Sequence, residues 1–230
     1  MMNKIKDFYI VVVGNVGIDI NIYFASQSID LGTETNFTEN LDNVGQSGGY
    51  STRGFAQLGL NTAFIGSVGS NFTGQQILKV LEADSINLDE VFNDPAGTCR
   101  SVNIMFPDGR RVSFYDGKSS PDQKPDLKLC KSILTRSNLA HISIPNWARY
   151  LLPISKEIGL TISCDLQDIT DIDDPYRQDF IHSADILFFS TVNQGSPAPL
   201  IEKILQEYPE KIIVSGMGSR GCTLGTKNRI

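Results

Sequence analysis

Apolar runs and polar interruptions alternate along this chain with a regular rhythm. FYIVVVG (8–14) is continuously apolar and ends in glycine, the pattern of a central parallel strand covered on both faces. NTAFIGSVG (61–69), NLAHISI (138–144), LTISCDL (160–166), ADILFFS (184–190) and EKIIVSG (210–216) repeat it. Helical periodicity predicts helices over 49–58, 72–83, 126–135, 147–158, 176–182 and 197–207. Stop and start signals include Gly59, Gly159 and Pro197. Strands alternating with helices of this length imply βαβ units and a mostly parallel sheet.

Two regions break the rhythm. GIDINIYFAS (17–26) and TETNFTENLDNV (33–44) have strand character with a half-polar pattern. In CRSVNIMFPDGRRVSFYDG (99–117), two such strands flank Pro107-Asp108-Gly109, a strong turn signal, so a β-hairpin is predicted. A lid over the carboxyl edge of the main sheet and a plain surface hairpin both fit this pattern. CTLG (222–225) is the last strand candidate.

Composition narrows the class. Hydrophobic residues at 40% and charged residues at 20% describe a globular chain able to bury one substantial core. No apolar run is long enough for a membrane span, and MMNKIKDFYIVVVGN reads as a first strand, not a signal peptide. Twenty Lys and Arg against 26 Asp and Glu give a net charge of −6, and the basic residues form no stripe, which argues against a nucleic-acid partner. Cysteines at 99, 130, 164 and 222 have no metal or redox spacing, so buried thiols in a cytoplasmic protein are expected.

VGQSGGYSTRGFAQLG (44–59) poses the chemical question. It lacks the Gly-Lys-Ser/Thr ending of a P-loop. Backbone amides of Gly45, Gly48 and Gly49 could hold an anion or hydroxyl, with Ser47, Tyr50 and Ser51 as side-chain partners. A structural turn is the alternative. Arg53 could meet an acidic substrate group or Asp42. Asp19 stands five residues beyond Gly14, past the carboxyl end of the first strand, where open parallel sheets bind ligands, and a carboxylate there can accept sugar hydroxyls. It could equally cap a turn. GNVGID is not a dinucleotide fingerprint. Asp165, Asp168, Asp171, Asp173 and Asp174 lack the Gly and Glu of a calcium loop and read as a solvated acidic loop, so no metal ligands are assigned. His141 is expected to be a strand histidine, and no serine-hydrolase or zinc motif occurs.

VVVGNVGID, GQSGGYSTRGFAQLG and TAFIGSVGSNFTGQQILKVLEADSINLD together resemble the first half of the PfkB/ribokinase carbohydrate kinases. The resemblance continues more loosely through the PDGRR hairpin, the Asp165 strand end, ADILFFS and IIVSGMGSRG, and is most specific over residues 45–81. It implies a three-layer ribokinase-like α/β fold with a mostly parallel central sheet and a small β lid built from about 17–43 and 99–117. Residues 1–230 would then be an incomplete carbohydrate-kinase domain lacking its C-terminal part. The activity implied is ATP-dependent phosphorylation of a hydroxyl on a sugar or nucleoside, with ATP and Mg2+ as cofactors. A homodimer through the lid is also implied.

Residue by residue, the resemblance gives Asp19 the sugar hydroxyls and puts Gly45, Gly48, Gly49 and Tyr50 at the substrate loop. Gln46 stands where the second glycine would be, and Tyr50 where a sugar-binding asparagine would be. Ser190 and Asn193 occupy the Asn-x-x-Glu positions, and Gly218 and Gly221 keep the strand-turn glycines near the nucleotide. The G-A-G-D segment, with its anion hole and general base, would lie beyond Ile230. The chain by itself is therefore expected to be inactive. A non-catalytic sugar-binding or interaction relative, and a nucleotide-binding α/β domain of another class, are the alternatives.

Overall fold

The computed structural model describes residues 6–118, 123–191, 195–227 and 229. Its main sheet has the order β12-β11-β10-β9-β8-β1-β4-β5, and all neighbours are parallel except β12, which runs antiparallel to β11. The strands are β1 (Phe8–Val13), β4 (Thr62–Val68), β5 (Asn87–Asn93), β8 (Ser137–Ser143), β9 (Thr161–Asp168), β10 (Ile186–Ser190), β11 (Ile212–Gly216) and β12 (Cys222–Gly225). Each apolar run expected to be a central strand is one. The sequence reading missed β5, because NLDEVFN at a sheet edge neither alternates nor forms a continuous apolar run.

Among the described residues, six α-helices lie on the two faces of this sheet: α1 (Gln46–Gln57), α2 (Phe72–Ala83), α3 (Leu127–Thr135), α4 (Leu152–Ile158), α5 (Gln178–Ser183) and α6 (Ala198–Glu207). One face of β1 and β4 packs on α1 and α2 through Val12, Phe64, Ile77 and Leu81. The other face of the sheet packs on α3 to α6 through Val11, Ile142, Trp147, Ile162, Phe180 and Ile201. This makes the three layers. The expected helix 147–158 begins as a 3-10 turn, Asn146–Leu151, and becomes α-helical only at Leu152. Asn71 and Asp126 cap α2 and α3 by accepting backbone N–H groups of the first turn.

The half-polar segments form a second, four-stranded sheet in the order β3-β2-β6-β7: β2 (Gly17–Phe24), β3 (Thr38–Gly45), β6 (Cys99–Met105) and β7 (Arg111–Asp116). The turn at Pro107-Asp108-Gly109 joins β6 to β7 as expected, closed by Phe106 N–H to Arg110 O at 2.9 Å. Strand β3 begins at Thr38, five residues later than the predicted segment.

β1 is the pivot of the architecture. The chain leaves it to build β4 and β5 on one side, then returns to build β8 to β11 on the other. The carboxyl ends of β1 and β8, marked by Gly14 and Ser143, part at this point, which is where a doubly wound sheet opens a crevice. The small sheet joins here: β2 starts three residues after Gly14, and β3 runs directly into α1.

Candidate functional site

The site grows from the junction of β3 and α1. Helix α1 starts at Gln46, three residues earlier than its apolar periodicity indicates. Gly48 and Gly49 therefore sit inside its first turn, not before it. A Cβ on Gly48 would stand 2.7 Å from the Asn15 carbonyl oxygen, and Gly49 N–H donates to that oxygen at 3.2 Å. Both glycines thus let α1 press against the backbone after β1. The Gly49 amide is already engaged. Gly45 has a different reason: a Cβ there would lie 2.3 Å from Asp19 Oδ2.

Asp19 is on β2, buried, with its carboxylate turned onto the start of α1. It does not cap a turn. Gln46 donates to it twice, from its backbone N–H to Oδ2 at 3.3 Å and from its side-chain Nε2 to Oδ1 at 2.5 Å. Ser101 Oγ, directly opposite on β6, donates to Oδ1 at 2.6 Å. Tyr50, in the first turns of α1, stands half-exposed and near enough to feel the Asp19 charge. Burial and the neighbouring Asp19 charge push the Tyr50 pKa up to about 12, so its O–H remains a donor at neutral pH. Gln46 adopts φ +67, a left-handed conformation that costs a residue with a side chain roughly 1–3 kcal/mol. Its two bonds to one carboxylate offset that cost.

The same face of the small sheet carries a polar row across β2, β6 and β7, with Leu41 of β3 beside Asn21. Asn21 pairs in register with Asn103, and Asn103 with Ser113; Asn103 Nδ2 donates to Asn21 Oδ1 at 3.0 Å, and Ser113 Oγ to Asn103 Oδ1 at 2.7 Å. Asn15, in the crevice mouth, donates to the Tyr115 hydroxyl at 3.3 Å. Sequence reasoning assigned none of Asn21, Ser101 and Asn103. The signal was present: Asp-x-Asn in β2 and Ser-x-Asn in β6 place polar residues two apart, on one face of adjacent strands. Ser143 Oγ is buried without a hydrogen-bond partner, beside Gly14 and Gly48 at the crevice floor. Arg53 faces neither Asp42 nor the crevice; it pairs with Asp84 at the end of α2, at 2.6 Å.

His141 is the strand histidine its sequence context implies. It lies on β8 between Ser51 of α1 (3.3 Å to Nε2) and Ser163 of β9 (2.9 Å to Nδ1). Burial lowers its pKa below 6.5, against an opposing effect of Asp165, so it is neutral at pH 7. Of the cysteines, Cys99, Cys130 and Cys164 are buried free thiols, while Cys222 on the edge strand is exposed, contrary to expectation.

The residues assigned to a nucleotide lie further along the same sheet edge. Ser190 ends β10, and Gly218 and Gly221 form the turn from β11 to β12 with φ +59 and +89, values that select glycine. Asn193 lies outside the described residues. On this side β9, β10 and β11 bury alternate residues against the helices: Ile162, Cys164, Leu187, Phe189, Ile213 and Ser215. The opposite set, including Asp165, Phe188 and Ile212, is half-buried or exposed, with Phe188 37% and Ile212 41% accessible. Among the described residues no group of three or more His, Cys, Asp or Glu could hold a metal ion. Ser190 stands at the Asn of the implied Asn-x-x-Glu, whose carboxylate position falls on Asn193, and the described residues do not by themselves fit a magnesium-bound triphosphate.

A doubly wound three-layer domain, with a four-stranded lid folding a carboxylate onto the helix at the switch point, defines a class. The chain has the ribokinase/PfkB fold and is homologous to the carbohydrate kinases built on it. No protein-family model matches it. Among solved structures it is similar to the microbiome-derived acarbose kinase Mak1, at 27% identity and a TM-score of 0.83, covering 97% of this chain and 76% of that one. It is also similar to Arabidopsis thaliana ribokinase complexed with ribose and ATP, at 20% identity and a TM-score of 0.69, over 97% of this chain and 76% of that one. Among curated proteins it is 21% identical over 213 residues to acarbose 7(IV)-phosphotransferase of Actinoplanes sp., covering 92% of this chain and 71% of that protein.

Proposed function

We propose that these residues form the sugar-binding part of a kinase that phosphorylates a hydroxyl on a sugar-like polyol. The observation that carries this is the Asp19 seat: a buried carboxylate closed onto the first turn of α1 at the switch point, beside the Asn21, Asn103 and Ser113 row of the lid. Hydroxyl-rich ligands need such a concentration of acceptors and amides, and the unpaired Ser143 hydroxyl on the crevice floor has capacity for one more. Two similar proteins act on acarbose by name, so acarbose is the first ligand to try, with ribose and nucleosides after it.

Within this function Asp19 accepts ligand hydroxyls, the half-exposed Tyr50 lines the seat, and the lid face excludes water. ATP and magnesium would supply the phosphoryl group and its charge compensation. No stretch of residues 1–230 matches the G-A-G-D segment to which the resemblance gives the base and anion hole, so we assign ligand recognition, and not phosphoryl transfer, to these residues alone. Calorimetric titration of the chain with acarbose, ribose and adenosine, beside a coupled ATP assay, tests this. Polyol binding with turnover below about 1 s⁻¹ is expected. No binding of any of the three would overturn the reading.

A homodimer through the lid is supported by the outer face of the small sheet. There Ile20 stands beside Val102, Ile22 beside Ile104, and Val102 and Ile104 beside Phe114 and Val112, the last two exposed. Such a contiguous apolar patch marks an association surface. Sedimentation equilibrium that shows only monomer at micromolar concentration would remove this proposal.

A further inference from the structure

A carboxylate offers about four lone-pair positions. At Asp19 the protein's own donors occupy three of them: Gln46 N–H on Oδ2, and Gln46 Nε2 and Ser101 Oγ together on Oδ1. A ligand diol that binds both oxygens of Asp19 must first displace a donor from Oδ1. Two of the three are poorly placed to leave. The Gln46 amide is main chain at the helix start, and Ser101 is held on a central strand of the lid sheet. The Gln46 side chain is the long, flexible donor, and its Nε2 also reaches Ser101 Oγ at 3.3 Å, bridging β2 and β6 across the seat. Nothing in the backbone requires a glutamine here. The φ of +67 favours glycine, so the side chain is retained at a conformational cost.

We propose that Gln46 is a specificity-determining residue whose carboxamide occupies the hydroxyl seat on Asp19 and admits only ligands able to displace it. The inference rests on Asp19 being that seat. In this arrangement the apparent affinity for a polyol is the intrinsic affinity reduced by the fraction of molecules in which the side chain has swung out. A hydrogen bond to a charged acceptor keeps that fraction at roughly one in ten to one in a hundred. Small neutral polyols, which offer the carboxylate only what the amide already gives, are the ligands most strongly held off. Ligands with additional contacts along the Asn21, Asn103 and Tyr115 face have the surplus to displace it.

The test compares wild type with Q46G and Q46N, both compatible with a left-handed backbone. Folding is checked by thermal denaturation, and D-ribose and acarbose are titrated calorimetrically. Q46G is expected to bind D-ribose at least about tenfold tighter than wild type, with a smaller gain for acarbose and Q46N in between. In wild type, saturation with acarbose should move the Gln46 side-chain amide resonance toward its solvent-exposed position. Binding by wild type with no gain in Q46G, or an amide resonance unmoved at saturation, overturns the gate and leaves the Asp19 seat standing. Absence of binding in all three proteins overturns the seat, and the gate falls with it.

Discussion

The lid side and the β9–β11 side of this molecule treat their polar groups in opposite ways. Over α1, a buried carboxylate, two asparagines and a serine are matched to one another across two strands and a helix start. On the unhelixed face of β9, β10 and β11, Asp165 shares its surroundings with half-exposed Phe188 and Ile212. The lesson concerns where function can be read. A region that satisfies its own buried groups carries its chemistry within the described chain, whereas a mixed, open face carries none until something covers it.

Removing the carboxylate tests the contrast most strongly. D19A leaves several buried donors without an acceptor and should cost about 2–3 kcal/mol in urea unfolding, while D165A on the open face should stay within about 0.5 kcal/mol. Equal losses would erase the distinction. G45A is next. Its new Cβ would stand 2.3 Å from Asp19 Oδ2, so the carboxylate or the helix start must shift. A loss of about 1–3 kcal/mol is expected, together with exposure of the Gln46 amide to hydrogen exchange.

pH gives a gentler probe of the boundary between the regions. His141 binds its proton less readily folded than unfolded, so below pH 6.5 the unfolded chain takes up more protons and stability falls as pH drops. H141N should flatten that decline between about pH 7 and 5, read from unfolding midpoints. Tyr50 has the reverse sign. Its raised pKa keeps its contribution intact below 10 and removes it as pH climbs through about 12. Ultraviolet titration of wild type against Y50F should show one late phenolate. The smallest effect is expected from F188S, within about 0.5 kcal/mol, with reduced binding of a hydrophobic dye as the sign that the open face is real.

The legibility of these two regions in the sequence differed for physical reasons. Central strands such as β1 and β10 announce themselves because burial on both faces demands unbroken apolar runs. Strand β5 did not, since an edge position allows Asn87, Asp89 and Glu90. Asp19 was legible from its distance beyond Gly14, but its partners were not. Ser101 lies 82 residues away, and nothing local to either residue encodes their meeting. Gln46 was visible as a departure from the glycine pattern, yet its side chain's role depends on a left-handed backbone that no spacing rule supplies. The early start of α1 followed the same logic: glycines argue against a helix until packing against Asn15 and Val16 requires them.

The parallel pairing of β2 with β6 has a consequence for the order in which the molecule assembles. Between them the chain must lay down β3, α1, β4, α2 and β5. Closing a loop of that length carries an entropy penalty that only the finished β1–β4–β5 unit offsets, so this pairing belongs to the late, slow part of folding. On a ribosome, Asp19 and Gln46 emerge well before Ser101. For that interval the strand that brings Ser101 to the carboxylate is still unmade.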